Sequence, residues 1–209
     1  MPWDLALCFG LLVVLLVIVF VLFLRSDLYN LRCHEVNQGK HRVCVLNSRE
    51  GKKNHQAVTM MTYLTEKLTR LVRLAHEDNP VHPGVQRLVA NFDPRRIVES
   101  LPHSDHTAYT EDKGKKLAFC LTKERKGGVF VEENTLFFVA LHELAHIMTE
   151  ENGHTENFWR HFGDILRVAR RHQMIVPVDY SKQPTKYCGM TLYENPLFDR
   201  EEPEAKSQG

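Results

Sequence analysis

Residues 5–24, LALCFGLLVVLLVIVFVLFL, run without a charge or a proline. At about 1.5 Å of helical rise per residue, twenty such residues match a bilayer core of roughly 30 Å. The run therefore predicts a transmembrane helix. A cleaved signal peptide would need a positive segment before the run and a small-residue cleavage site after it. Met1, Pro2, Trp3 and Asp4 carry no positive side chain, and no A-x-A-like site follows Leu24. Residues 1–25 are read as an uncleaved anchor, with Trp3 and Tyr29 suited to the two interfacial belts.

Arg25, Arg32, Lys40 and Arg42 lie just after the span, while Asp4 precedes it. The positive-inside rule then places the C-terminal bulk in the cytosol. Cys8, Cys33, Cys44, Cys120 and Cys188 are an odd count with no paired framework, as a reducing compartment would allow. One feature opposes this reading. LRCHEVNQGKHRVCVLN has the form of a hairpin turning at residues 37–40, and that register sets Cys33 opposite Cys44, where an oxidising compartment would let them bond. The balance of 27 Lys+Arg against 26 Asp+Glu argues against a nucleic-acid binder, and no such partner is expected.

Behind the anchor, residues 26–54 read as a polar juxtamembrane stalk carrying the hairpin, residues 55–198 as one domain, and residues 199–209 as a charged, disordered tail. Ala57, Met61, Leu64, Leu68, Leu71 and Ala75 recur at helical spacing, so a long helix from Gln56 should pack one face on a core and stop before Asn79-Pro80. Short helices are expected over residues 85–92 and 95–101, and strands over 116–122 and 129–131. Residues 134–148 are apolar nearly all round, which suits a central helix capped by Asn134 or Thr135. Thr155 should cap a following helix with Phe158, Phe162, Ile165 and Ala169 on one face. The fold class is α+β, a small and mainly helical domain with a short sheet behind one transmembrane helix.

Within the central helix, LHELAH places His142 and His146 four residues apart, so both imidazoles leave one face a turn apart and can share one ion. Glu143 sits beside the first of them, where a carboxylate can take a proton from water at that ion. Composition alone yields H-E-x-x-H in roughly one chain in twenty of this make-up, so context decides. Two histidines and a glutamate on an otherwise apolar helix would be costly to bury without a ligand or partner. A catalytic zinc needs a third protein ligand and an open position. His154, after Gly153 and at the start of the next helix, is the natural third ligand; His161 is the weaker candidate. His172 reads as a cation at a helix C-terminus, and His103 and His106 could line a cleft.

HELAH followed by GHTENFW is similar to the HExxH with a downstream G-H-x-x-x-F of the SprT-like and WLM-type zinc metallopeptidases, which are minimal zincins. From about residue 107 to 197 the chain resembles, more specifically, a predicted metallopeptidase family of large DNA viruses and some algae. The residues carrying that likeness are AYTEDKGKKLAFCL, NTLFFVALHELAHI, GHTENFW, PVDY and YCGMTLYENPL. This chain has G-H-T where the SprT-like group often has G-H-G.

The resemblance implies a zincin-like fold and a Zn2+-dependent peptidase acting on protein or peptide, with His142, His146 and His154 as ligands and Glu143 as general base. An oxyanion donor is also required, and Tyr187 and Tyr180 are its candidates. Met190 could supply a hydrophobic floor near the metal, or simply pack in the core with Cys188. By analogy with zincins, the strand over residues 116–122 would be an edge that holds extended substrate. The competing reading is a catalytically silent zincin-fold membrane protein, such as a virion membrane component, whose metal shell Cys188 or His161 closes.

Overall fold

A computed structural model describes residues 2–37, 39–125 and 127–199, with side chains from Leu7 to Phe198. The tail at residues 200–209 lies outside the described residues. The architecture is α+β. Helix α1 (Pro2–Arg25) is the apolar one. Its segment Leu7–Arg25 is long and apolar enough to cross a membrane, and among the described residues none of it is buried. A four-residue helix α2 (Asp27–Asn30) leads directly into strand β1 (Leu31–Val36).

The hairpin is present, but it is not a stalk. β1 and β2 (His41–Leu46) pair antiparallel with Cys33 opposite Cys44, and these two cysteines form a disulfide. β2 then joins β3 (Ile97–Glu99) in parallel, so the hairpin forms one flank of a five-stranded sheet ordered β1-β2-β3-β5-β4. The physical reason lies in HRVCVL, whose Val43 and Val45 are wholly buried. A solvated stalk could not hide them.

The remaining strands of this sheet are β4 (Ala108–Glu111) and β5 (Lys116–Phe119), paired antiparallel with Thr110 opposite Leu117. β5 lies between β3 and β4, so it is not the edge strand the zincin analogy assigned to it. β4 occupies that edge. The expected helix over 95–101 is also corrected: a single 3-10 turn at Pro94–Arg96 gives way to β3. Ile97 is fully buried there, and the β-branched pair Ile97-Val98 fits a pleated interior strand better than a helix.

Helix α3 (Gly51–Asp78) starts earlier than its periodicity suggests and ends where Asn79-Pro80 requires. Ala57, Met61, Leu64, Leu68, Leu71 and Ala75 are all at 0 % exposure, so this face is core as expected. At about 2 kcal/mol for each fully buried Leu, that stripe holds α3 in place. Helix α4 (Pro83–Asn91) follows. The small ribbon β6 (Thr122–Glu124) and β7 (Gly127–Phe130) then precedes helix α5 (Glu133–Met148).

α5 is the buried centre of the molecule, packed against α3, α4 and α6 (Glu156–Arg171). Thr155 caps α6 as expected, accepting from the Phe158 amide at 3.3 Å. Asn134 does not cap α5. Its side chain instead donates to the Val176 carbonyl and accepts from the Val176 amide, both at 2.9 Å, and so clasps the C-terminal segment. That segment contains a hairpin, β8 (Thr185–Tyr187) with β9 (Met190–Leu192), and a final turn α7 (Pro196–Asp199). A second disulfide, Cys120–Cys188, fastens this hairpin to the chain just after β5. With Cys8 in α1, the odd count resolves into two pairs and one free thiol.

Candidate metal and catalytic site

The apolar content of α5 buries most of its surface and leaves His142 and His146 half-buried on the one face that opens to a cleft. A tight turn follows the helix, with Gly153 at φ +82, a backbone conformation favoured by glycine. It brings exposed His154 back onto that face. The three rings stand 4.9 to 5.0 Å apart between centroids, and their nitrogens lie within 4.8 Å of one another. Nε2 of His142 and Nε2 of His154 are 3.0 Å apart. Tetrahedral zinc with bonds of about 2.0–2.1 Å needs its nitrogens about 3.3 Å apart, so modest rotation of three side chains would satisfy it.

The donor chemistry also fits a cation. Burial, then the neighbouring imidazoles, lowers His142 to about 3, while burial followed by His154 and Lys113 lowers His146 to about 4. Both rings are therefore neutral at pH 7 and present lone pairs. Beneath them lies Phe158, fully buried, with its ring 4.4 to 4.8 Å from all three imidazoles. Phe158 is the floor of the site. Met190, offered by the sequence either as that floor or as a core residue beside Cys188, is neither: it is exposed and receives the Thr107 hydroxyl on its sulfur at 3.2 Å.

Glu143 is 4 % exposed and lines the same cleft. Burial raises its carboxyl to about 7, against the opposing pull of a hydrogen bond from Thr110, whose hydroxyl donates to Oε2 at 3.1 Å. Thr110 stands on edge strand β4, and sequence reasoning missed it because a four-residue strand AYTE gives almost no periodicity. The C-terminus of α5 is held by two cations: Lys113 donates to the His146 carbonyl at 3.3 Å, and Arg87 donates to that of Met148 at 2.7 Å. These satisfy carbonyls left open at a helix end and fix the turn that presents His154.

The cleft has a volume of about 880 Å³ and is walled by residues 103–106, 108–113 and 152–154 with His142, Glu143 and His146. His103 and His106 thus line it, as the sequence allowed. Tyr187 and Tyr180 do not, among the described residues. Tyr187 is buried and its phenol oxygen accepts from the Cys120 amide at 3.1 Å; burial, and then the Glu143 charge, raise it above the ordinary tyrosine value. Tyr180 packs on Phe138 with ring centroids 4.8 Å apart, and burial raises it likewise. Neither Cys188 nor His161 closes the metal shell. Cys188 is in a disulfide, and His161 bonds through Nδ1 to Thr149 Oγ1 at 2.9 Å. His172 meets Asp78 at 3.0 Å. The His142, His146 and His154 set therefore keeps an open side facing the cleft.

Fold and site together define an α+β protein in which two imidazoles and one buried carboxylate of the central helix converge with a third imidazole from the turn after it, behind an apolar N-terminal helix. The proteins it is similar to are viral. It is 36% identical over 115 residues to uncharacterised protein R325 of Acanthamoeba polyphaga mimivirus, covering 55% of this chain and 58% of that protein. It is also 39% identical over 67 residues to uncharacterised protein 042R of Invertebrate iridescent virus 3, covering 32% and 38% of the two chains. The matched stretches thus span little more than half of these relatives at most. No protein-family model matches the chain. No solved structure matches it either.

Proposed function

We propose that this chain is a membrane-anchored zinc metallopeptidase, with His142, His146 and His154 holding Zn2+ and Glu143 as general base. The observation that carries this reading is the meeting of three imidazoles and one buried carboxylate on the open wall of a single cleft. Zinc, when bound, would supply a Lewis acid that acidifies water and polarises the scissile carbonyl.

The chain's own residues do the rest. Thr110 holds Oε2 of Glu143. The other carboxylate oxygen is left to take a proton from the attacking water and deliver it to the leaving amine as the C–N bond breaks. A carboxyl near 7 is well matched to both halves of that exchange at neutral pH. With Tyr187 and Tyr180 outside the cleft, a donor to the oxyanion would come from the cleft wall, where His106 and Tyr109 stand with ring centroids 6.0 Å apart. Extended substrate would lie along β4, whose outer edge is unpaired in the sheet.

The anchor is α1, in the bilayer over residues 5–24. Basic residues after the span favour a cytosolic domain, and two disulfides favour an oxidising compartment. We give the disulfides more weight, because a reducing cytosol would hold both pairs open, whereas charge bias is only a tendency. Protease protection with thiol labelling of intact membranes decides it: a domain cleaved and labelled from the cytosolic face overturns this orientation.

The enzymatic test uses the full chain in detergent with a peptide library. Wild type should bind one equivalent of zinc and cleave, and Glu143→Gln should keep the zinc while losing about 10²- to 10⁴-fold in rate. Retained activity in that variant refutes the role of Glu143. Zinc bound by a wild type without turnover would favour a silent, structural role.

A further inference from the structure

Resting on the peptidase reading, we infer that the substrate is the juxtamembrane segment of another protein anchored in the same bilayer. The cleft is tied to the end of the membrane span. His103, the first residue of its loop wall, contacts the carbonyl oxygen of Arg25 through Nε2 at 3.0 Å, and Arg25 is the last residue of α1. A second tie lies on the neighbouring strand. Lys116 of β5, only 19% exposed, pairs with Asp27 at 2.7 Å and also with Glu111, which stands opposite it on β4.

The connection has no slack. Ser26 alone separates α1 from α2, and α2 runs straight into β1. Asn30 closes the junction by donating to the carbonyls of Leu24 at 2.8 Å and Ser26 at 2.9 Å. Leu28 of α2 is 86% exposed, and Tyr29, with its ring 5.5 Å from that of Phe23, still exposes 47% at the level where the span ends. Such residues belong at a membrane interface. The domain therefore sits on the bilayer rather than swinging from it.

The catalytic groups follow. The loop 103–106 touches the end of the span, and β4, a strand of roughly 13 Å at about 3.3 Å per residue, continues the same cleft wall to Thr110 and Glu143. Chain emerging from a neighbouring span enters this cleft within its first residues. A soluble protein must bring an extended segment into a gap beside the headgroups. A tethered substrate also gains effective concentration from confinement to the same surface.

The test co-reconstitutes the full zinc-loaded chain in liposomes with a single-span reporter carrying a randomised 30-residue extramembrane segment, and maps cuts by mass spectrometry. Cuts should cluster within about ten residues of the reporter's span, a reach of roughly 33 Å. The same segment supplied as soluble peptide should be cut at least about tenfold more slowly. Inserting a ten-residue Gly-Ser linker between Ser26 and Asp27 should spread the cuts outward without lowering the soluble-peptide rate. Cuts spread evenly along the segment, or equal rates on the soluble peptide, overturn the inference while leaving the peptidase reading intact, provided Glu143→Gln abolishes them. No zinc-dependent cut in any arm overturns the peptidase reading itself, and the inference with it.

Discussion

Replacing both Cys120 and Cys188 by Ser should lower stability by an amount set mainly by the unfolded chain. The bridge closes a loop of 68 residues. The chain-entropy relation gives about 15 cal/mol/K for such a loop, or about 4.4 kcal/mol at 25 °C. The folded state should change little, because other bonds already dock the hairpin: Cys188 donates to the Thr122 carbonyl at 3.0 Å and Gly189 to that of Lys123 at 2.7 Å, while Tyr187 accepts from Cys120. For a domain of this size, about 4 kcal/mol corresponds to a fall in Tm of roughly 8–16 °C. The assay is near-UV circular dichroism of the full chain in detergent as it is heated. Removing Cys33–Cys44, separated by 11 residues, supplies an internal scale, since the same relation gives about 2.8 kcal/mol. A loss at Cys120–Cys188 smaller than at Cys33–Cys44 refutes the entropic argument. A wild type with five titratable thiols refutes the bridges themselves.

Thr110→Val should raise the Glu143 carboxyl further, because the lost hydrogen bond favours the charged form; on the proposed peptidase reading, about 1.5–3 kcal/mol should move the acid limb of the pH–rate profile up by one to two units, and an unmoved limb contradicts this. In metal-free protein, Glu143 holds its proton more tightly folded (about 7) than in its ordinary range (4.5), so the folded state carries the extra proton and stability falls as pH rises through that window. His142 and His146 act oppositely: their folded values of about 3 and about 4 lie below 6.5, so stability rises with pH up to there. Two histidines outweigh one carboxyl up to about pH 6.5, so the metal-free Tm should level off at about pH 7, and thermal scans still climbing from pH 7 to 8 would contradict the sign for Glu143. Gly114→Ala should cost at least about 2 kcal/mol by chemical denaturation, because φ is +114 and the new Cβ would lie 2.7 Å from the Asn91 carbonyl oxygen.

The elements legible in the sequence were those with a strong local signal. The apolar run of α1, the 3.6-residue stripe of α3 and the Thr155 cap all depend on neighbours within a few turns, and each stands where it was read. The three histidines were legible for the same reason: two share a helix face, and the third follows a turn glycine. What escaped depended on distant pairing. β3 and β4 are three and four residues long and exist because β5 lies between them. Tyr187 looked like an oxyanion donor because its neighbourhood is rich in motif residues, but the Cys120–Cys188 bridge carries it beneath the cleft. That bridge was itself readable in principle, since setting aside Cys8 within the apolar N-terminal run leaves an even number.

On the anchoring proposed above, the β1 flank has a consequence for life in two dimensions. Its outer edge is unpaired in the sheet, and the hairpin disulfide holds it flat against β2. Exposed β edges recruit one another, and confinement to a bilayer raises the frequency of such encounters far above that in solution. β1 meets this hazard with exposed Arg32 and Glu35, which set like charges against each other when a second copy pairs in parallel register. Replacing both with Val would turn a crowded membrane into a template for edge-to-edge ribbons, while the dilute protein in detergent stayed monodisperse.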